Sequence, residues 1–479
     1  MKKAIAILLA LVFIAAGGML FVHNWVDGLG DDVNIKETVL AGDRKAAEGV
    51  TVTTSSHCEE TPLFWETACT VGEENKVETR LDFDRTRKDE WIHQDRPMLN
   101  LGYEDQMNWY NVGVEENPED YGYPMKVFED VIADTKPGSA HEGIVKLSDF
   151  IPYRSAYINV SFYGEDGYVE AYVDGRDDGS YFRFPMTEYS DMKVRVEMST
   201  SGQVSSLTIE PQHMHYLDEK TIVTEDRKTA YVAVGDMILV ERDASGKQLD
   251  IRSVPLEEDT CGVHRFDIVY EEDEHGHRFG EVEMKNGRMI YPIEQGTGIE
   301  KLWISADGSQ LLLLTHEDGD IWFTALDSKT YEEKQRMRLF TYDSNVCDAV
   351  VVKDGTDYIV AFFDDGHAAL LAKNKEAWQL EAVDRLYRGE TYNYSFSEDA
   401  DEVFAAAFDG NRFVLVNRSV KYAGSYFLWI YEDGKCKYAG AYESSLGDAG
   451  LQEADRTDDY VLRYTYQNGL SVAFEKQTR

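Results

Sequence analysis

Residues 310–325 have the sequence QLLLLTHEDGDIWFTA, in which two apolar runs flank an acidic turn. The first run covers residues 310–315 and the second covers residues 320–325. An Asp-Gly pair between apolar runs is typical of a tight β-hairpin turn, because glycine accepts the positive φ that such a turn requires. The stretch therefore predicts a buried β-hairpin.

The same pattern recurs along the chain. Further hairpins are predicted around Asp365-Gly366, Asp409-Gly410 and Asn468-Gly469, and an additional one around Asp433-Gly434. Comparable turn glycines are Gly235, Gly280, Gly319, Gly366, Gly410 and Gly469. Their separations are 45, 39, 47, 44 and 59 residues, the last lengthened by the additional hairpin. A repeat of about 40–50 residues that bears four strands is typical of a β-propeller blade.

A second marker occurs in phase with the first. Residues 223–226, 304–308 and 396–399 each contain a Ser/Thr-x-Asp turn just ahead of a buried strand, and residues 353–355 retain its Asp-Gly remnant. Short Asp and Ser side chains can hydrogen-bond local backbone amides and fix such a turn. Over residues 215–475 this motif resembles the repeat of WD-like propellers of bacterial envelopes, without a Trp-Asp dipeptide. The chain also resembles membrane-anchored propeller proteins of Gram-positive bacteria, and the resemblance implies architecture only.

These patterns predict an all-β fold: a β-propeller of about seven four-stranded blades, with six or eight as alternatives. Residues 157–212 are predicted to form one blade and residues 50–83 to be stranded. The final hairpin, residues 459–475, supplies only two strands. We therefore expect N-terminal strands to complete the last blade, because closure removes sheet edges that invite aggregation.

The N-terminus has the pattern of a membrane anchor. Met1-Lys2-Lys3 precedes residues 4–22, which contain no charged or amide side chain, and Trp25 follows. At about 1.5 Å per residue, a helix of that length nearly spans a hydrocarbon layer of about 30 Å. Lysines before the span and a tryptophan after it predict a single-pass membrane protein whose C-terminal part lies outside the cytoplasm. A cleaved signal peptide is the alternative.

The predicted organisation follows from these segments. Residues 1–3 form a cytoplasmic stub, residues 4–23 the transmembrane anchor or signal peptide, and residues 24–46 a linker. Residues 47–479 form the propeller, with an irregular, aromatic-rich insertion at about 84–156 that includes a short helical stretch at residues 125–132.

The charge balance restricts the partners. With 48 basic and 89 acidic side chains, the formal net charge is −41. A chain of this charge is repelled by phosphate backbones, so we predict no nucleic-acid partner. We also expect a monomer, no cofactor and no metal.

Five cysteines are present, and two of them suggest a disulfide. Cys58 and Cys69 flank the apolar stretch at residues 62–65, as two strands of a hairpin would. In an oxidising compartment the two could form a disulfide, although buried thiols are the favoured interpretation.

Binding residues are predicted in the insertion, where exposed aromatic faces could stack on sugars or contact peptides. The candidates are Trp91, Trp109, Tyr110, Tyr121 and Tyr123. The alternative is that these rings pack the insertion against the propeller. Weaker candidates for metal binding are His213-Met214-His215, the acidic turn with His275 and His277, and the Asp-rich loop at residues 174–179. Ordinary surface residues and turns are the favoured interpretation of these three segments.

We therefore expect an extracytoplasmic binding or assembly module for a protein, peptide or glycan. The alternative is an envelope carbohydrate-active hydrolase or lyase with its site on one face of the propeller. The sequence contains no catalytic motif such as G-x-S-x-G, H-E-x-x-H or a Walker loop.

Overall fold

The computed structural model describes most of the chain. The described residues are 15–21, 33–58, 63–83, 98–102, 110–113, 128–146, 149, 153–164, 167–173, 182–185, 191–211, 214–242, 248–254, 260–272, 278–342, 350–375, 377–386, 404–418, 425–445 and 465–475.

Within these ranges the fold is all-β, as predicted. The first fifteen strands are β1 (Ile35–Gly42), β2 (Val50–Cys58), β3 (Leu63–Thr70), β4 (Lys76–Phe83), β5 (Met98–Gly102), β6 (Tyr110–Gly113), β7 (Ala140–Val145), β8 (Tyr153–Gly164), β9 (Gly167–Val173), β10 (Phe182–Pro185), β11 (Met192–Met198), β12 (Val204–Pro211), β13 (Met214–Val223), β14 (Thr229–Arg242) and β15 (Gln248–Val254). The other fifteen are β16 (Gly262–Glu272), β17 (Arg278–Pro292), β18 (Gly298–Ile304), β19 (Gln310–Glu317), β20 (Asp320–Asp327), β21 (Glu333–Thr341), β22 (Val350–Asp354), β23 (Tyr358–Phe363), β24 (His367–Asn374), β25 (Ala377–Arg385), β26 (Phe404–Phe408), β27 (Arg412–Arg418), β28 (Tyr426–Glu432), β29 (Lys435–Ser444) and β30 (Thr465–Phe474).

Helices are few among the described residues. A short α-helix spans Glu129–Asp134, a 3₁₀ turn spans Arg44–Ala47, and residues 15–21 are helical. No helix in the described part of the chain is long and apolar enough to cross a membrane. Most of the predicted anchor at residues 4–23 lies outside the described residues, so the anchor stays a prediction.

The chain forms two compact units. Unit 1 consists of residues 1–94, 305–309 and 347–479, and unit 2 consists of residues 95–304 and 310–346.

Unit 1 contains three antiparallel sheets. Their strand orders are β22-β23-β24-β25, β26-β27-β28-β29-β1 and β30-β2-β3-β4. Strand β26, which begins the second sheet, contacts both β22 and β30, which begin the other two. Four-stranded meanders packed in succession with their first strands adjacent are the arrangement of propeller blades. The repeat prediction is confirmed for these sheets, whereas the total of seven blades stays a prediction.

The last sheet joins the C-terminal strand to strands near the N-terminus. Strand β30 pairs with β2 from Val50 opposite Phe474 to Cys58 opposite Thr465. The prediction that N-terminal strands complete the last blade is therefore confirmed. The predicted hairpin at Asn468-Gly469 is wrong. Both residues lie inside β30, where a bulge opposite Ser55 and Ser56 accommodates the extra residue.

The predicted linker at residues 24–46 contains regular structure. Strand β1 pairs with β29 along the outer edge of the second sheet, from Ile35 opposite Ser444 to Gly42 opposite Tyr438. The linker prediction is therefore wrong from residue 35 onward, because these residues supply the sheet with a fifth strand.

A polar cluster holds β1 in place. The Glu37 carboxylate accepts hydrogen bonds from Arg44 Nε (2.9 Å), Asn75 Nδ2 (2.7 Å) and the Tyr438 hydroxyl (2.8 Å). Burial raises the pKa of Glu37, but the hydrogen bonds from Asn75, Tyr438 and Arg44 lower it further, so the pKa lies below its ordinary value. Because Asn75 precedes β4 and Tyr438 lies in β29, the carboxylate links two neighbouring sheets of unit 1.

Several predicted turns are confirmed. Asp318 and Gly319 have φ of 49° and 84°, and Asp433 and Gly434 have φ of 52° and 68°, as two-residue hairpin turns with two positive φ angles require. Gly366 and Gly410 also have positive φ. The predictions for Gly235 and Gly280 are wrong, because these glycines lie inside β14 and β17.

The Ser/Thr-x-Asp turns are also confirmed where they are described. The Thr224 hydroxyl donates to Asp226 Oδ1 at 2.7 Å, and the Ser305 hydroxyl donates to Asp307 Oδ1 at 2.7 Å. In the second turn the backbone N–H of Ser309 donates to the same Asp307 oxygen at 3.0 Å. The turn at residues 396–399 lies outside the described residues.

Unit 2 departs from the predicted blades. Its sheets are β18-β19-β20-β21, β6-β12-β11-β7 and a nine-stranded sheet with the main order β10-β8-β9-β17-β16-β14-β13, in which β15 pairs with β14 and β5 with β8. The single blade predicted for residues 157–212 is wrong: β8, β9 and β10 lie in the nine-stranded sheet, whereas β11 lies in another.

The predicted insertion at residues 84–156 contributes strands to both of these sheets. Strand β5 pairs with β8, while β6 and β7 flank β12 and β11. The predicted helical stretch at residues 125–132 corresponds to the short helix Glu129–Asp134, displaced by a few residues. The described strands of the insertion are therefore part of the sheets.

Candidate binding pocket

The predicted aromatic binding residues are mostly outside the described residues. This applies to Trp91, Trp109, Tyr121 and Tyr123. Tyr110 begins the edge strand β6, where its backbone lies opposite Ile209. The binding role of these five residues stays a prediction.

The predicted disulfide is not supported. Cys69 is a buried, free thiol in β3, and it lies opposite Val52 in β2. Cys58 lies six residues further along β2, a displacement of about 20 Å along a strand. A disulfide requires Cα atoms about 4.4–6.8 Å apart. The register of β2 and β3 therefore contradicts the predicted Cys58–Cys69 disulfide, and Cys69 is a core residue.

The structure does not test the weaker candidates for metal binding. His213, His275, His277 and residues 174–179 lie outside the described residues. Among the residues that the structure does describe, no group of three His, Cys, Asp or Glu side chains has a metal-binding geometry.

A pocket of about 360 Å³ lies between two neighbouring sheets of unit 1. It is bounded by β24 and β25 on one side and by β26, β27 and β28 on the other, with contributions from turns at the same end of both sheets. Its lining residues are Asp357, Leu370, Ala372, Lys373, Asn374, Lys375, Gln379, Glu381, Ala382, Phe408, Gly410, Asn411, Phe413, Tyr431, Glu432, Asp433 and Gly434. Its volume is at the lower end of the range of small-molecule sites in proteins.

Two phenol groups connect the sheets around the pocket. The Tyr431 hydroxyl donates to Asp384 Oδ2 at 3.0 Å, and the Tyr358 hydroxyl donates to the carbonyl oxygen of Ala406 at 2.9 Å. Burial and nearby acidic groups raise the pKa of both tyrosines, so both remain neutral donors at physiological pH. These bonds fix the spacing of the two sheets.

The turns at the rim are held by local contacts. In the turn between β26 and β27, Asp409 Oδ1 accepts from the backbone N–H groups of Asn411 (3.0 Å) and Arg412 (2.8 Å). In the turn between β28 and β29, a Cβ on Gly434 would lie 2.6 Å from the Glu381 carbonyl oxygen. Glycine at this position thus allows the turn to contact β25 directly.

Buried apolar side chains lie beneath the pocket, and its rim is polar. Leu370, Phe413 and Tyr431 are buried, and Phe408 stacks on Phe413 with ring centroids 4.3 Å apart. The rim contains exposed carboxylate, amide and ammonium groups, the residues being Asp357, Asn374, Lys375, Gln379, Glu381, Asn411 and Asp433. The surface that the pocket presents to a ligand is therefore mainly polar.

The amino-acid sequence does not predict this pocket. Asp409-Gly410 and Asp433-Gly434 are predicted as hairpin turns, which are local features. The pocket depends on how one sheet packs against the next, and turn motifs do not encode that packing. The only available signal was the repeat itself, which brings equivalent turns to the same end of successive blades.

Comparison with known proteins identifies no family. No protein-family model matches the chain, and no curated protein is significantly similar to it. The solved structures to which it is similar include a putative 6-phosphogluconolactonase from Bacteroides fragilis, with 9% identity, a TM-score of 0.30, and coverage of 82% of this chain and 94% of that one.

Two of the similar structures are described as propellers. The β-propeller domain of Myceliophteria thermophila Cps50 (Swd1) has 10% identity and a TM-score of 0.24, with 54% of this chain and 82% of that chain covered. The Dos1 propeller has 8% identity and a TM-score of 0.24, with 65% and 96% covered. Likenesses this distant carry no argument about this chain.

Proposed function

We propose that this chain is a membrane-anchored, extracytoplasmic β-propeller that binds a protein, peptide or glycan partner. We further propose that the pocket between the β22–β25 and β26–β29 sheets is a partner-binding site. The observation that supports this proposal is the pocket itself, a concave site of about 360 Å³ with a mainly polar lining.

The support for binding comes from the rigidity of the site. Strands and hydrogen-bonded turns hold the backbone of the lining residues, so little backbone conformational entropy is lost when a ligand enters. Asn411 illustrates this, because its Nδ2 donates to Glu432 Oε1 at 2.5 Å and its backbone N–H donates to Asp409. The side chains of Asn411 and Glu432 are therefore oriented before a partner binds.

The proposal is tested with the full chain in detergent micelles. Saturation-transfer NMR would measure contact with capped tripeptides and with soluble oligosaccharides. Asn411→Trp places a large ring at the rim and is expected to remove the signal of any ligand that uses the pocket. Lys329→Trp, at an exposed turn of unit 2, is the matched control and should leave the signal unchanged.

Two results would contradict the proposal. One is that no probe binds the unaltered chain. The other is that Asn411→Trp retains all binding, which would place the partner site elsewhere.

Carbonate extraction of membranes from cells that express the full chain checks the anchor, because only an integral membrane protein remains in the pellet.

A further inference from the structure

We infer that the pocket between the β22–β25 and β26–β29 sheets takes the lysine or arginine side chain of a basic peptide. This inference rests on the proposed function, since it names the ligand class of the same site. Three features of the pocket support it: the charge of the lining, the ion pair that one of its lysines already forms, and the position of apolar and acidic groups.

The lining has an excess of acidic side chains. Four carboxylates, those of Asp357, Glu381, Glu432 and Asp433, line the pocket against two lysines, Lys373 and Lys375. An opposite charge within a few ångströms stabilises a bound cation, whereas an anionic ligand would meet the acidic excess.

One of the two lysines is already paired. Lys373 Nζ donates to Asp307 Oδ2 at 2.7 Å and lies 5.2 Å from the centroid of the Trp378 ring. Burial raises the pKa of Asp307, but hydrogen bonds from Lys373, Ser309 and Ser305 lower it well below its ordinary range, so the ion pair is stable at neutral pH. The effective charge that the pocket presents to a ligand is therefore negative.

The positions of these groups match an amphipathic cation. Lysine and arginine pack their methylene stems on apolar surface and keep their charged ends at a polar boundary. Here the partly exposed Phe408 and Ala372 supply apolar surface, while Asp433 lies at the rim. Aromatic rings near a cation add a favourable electrostatic contact.

The charge of the whole chain acts in the same direction. At −41, the protein attracts basic partners over distances longer than a hydrogen bond and raises their association rate at low ionic strength. The pocket would then fix one side chain of a partner that long-range attraction has brought to the surface.

The test compares charged and neutral forms of one side chain. Isothermal titration calorimetry with the full chain would use the capped tripeptides Ala-Lys-Ala and Ala-Arg-Ala, and the same lysine peptide acetylated on its side chain. We expect the two charged peptides to bind and the acetylated peptide to bind at least about tenfold more weakly, since a charge-assisted contact is lost.

A matched pair of variants locates the site. Asp433→Asn removes a rim charge and keeps a residue that tolerates the positive φ of 52°. Asp318→Asn makes the same change at the equivalent Asp-Gly turn of β19–β20, outside the pocket. We expect Asp433→Asn to weaken the lysine peptide about three- to tenfold and Asp318→Asn to change binding less than twofold.

The outcomes separate this inference from the proposed function. Equal binding of the acetylated peptide, or equal effects of the two Asp variants, would overturn the inference. Binding of glucosamine or a neutral oligosaccharide that Asn411→Trp removes, with no binding of either charged peptide, would overturn the inference and leave the proposed binding function intact. Absence of binding by every peptide and sugar would overturn both.

Discussion

At the scale of single residues, Glu37 joins three segments that are far apart in sequence. Its carboxylate bonds Arg44 from the following turn, Asn75 from the adjacent sheet and Tyr438 from β29. Tyr438 in turn shares a hydrogen bond with Tyr442 at 2.9 Å, and Tyr442 stacks on Tyr426. The site depends on the ionised carboxylate, because its partners are hydrogen-bond donors.

The first prediction concerns the pH dependence of this site. The pKa of Glu37 is lower in the folded protein than its ordinary value of 4.5, so the stability it contributes is present above that value and is lost as the pH falls through the folded pKa. We expect Glu37→Gln to lower the free energy of unfolding by about 2 kcal/mol at pH 7. Below pH 4.5 the difference from the unaltered protein should shrink.

Urea denaturation at several pH values between 3 and 7 measures this difference. Glu443→Gln is the control, because Glu443 forms only a 3.8 Å ion pair with the exposed Lys36. A constant difference across the pH range would show that Glu37 does not act through its charge.

At the scale of elements, the local sequence predicts hairpin turns better than it predicts which strands pair. Gly319, Gly366 and Gly410 each follow an aspartate and adopt positive φ, because the Asp-Gly pair favours a tight turn. Gly235 and Gly280 follow Val234 and Phe279 and lie inside strands. The bulge at Asn468-Gly469 shows that even a good turn signal can be overridden when a long strand is available for pairing.

The second prediction separates turn conformation from turn packing. Gly410 and Gly434 both have positive φ, of 94° and 68°. A Cβ on Gly410 would meet nothing within 4 Å, whereas a Cβ on Gly434 would lie 2.6 Å from the Glu381 carbonyl oxygen. Gly410→Ala should therefore cost about 1–2 kcal/mol for the backbone strain alone.

Gly434→Ala should cost at least about 1 kcal/mol more, because the turn must also move away from β25. Thermal and urea denaturation of the two variants measure the difference. The same displacement should weaken any ligand that binds the pocket. Equal destabilisation by both substitutions would mean that the contact between the β28–β29 turn and β25 contributes nothing.

At the scale of the whole molecule, the sequence predicted the class of fold and the joining of the chain ends. Apolar runs, Asp-Gly turns and Ser/Thr-x-Asp turns are local, so they indicated four-stranded sheets in β18–β29. The sheet that contains β11 was missed, because the choice between β10 and β12 as neighbours depends on contacts made elsewhere. The pocket was missed for the same reason, since it lies between sheets rather than within one.

The last prediction concerns the joining of the two ends. Strand β2 has β3 on one side and β30 on the other, and β30 buries Leu470 against the core. Deletion of residues 465–479 would leave the N–H and C=O groups of β2 unpaired along that edge. An unpaired edge recruits other strands, so we expect a lower melting temperature together with dimers or larger aggregates. Deletion of residues 476–479 alone retains β30 and is the control. Differential scanning fluorimetry and size-exclusion chromatography with light scattering measure both effects. If the longer deletion remained monomeric and melted at the same temperature as the shorter one, the pairing of β30 with β2 would not contribute to closing the sheet.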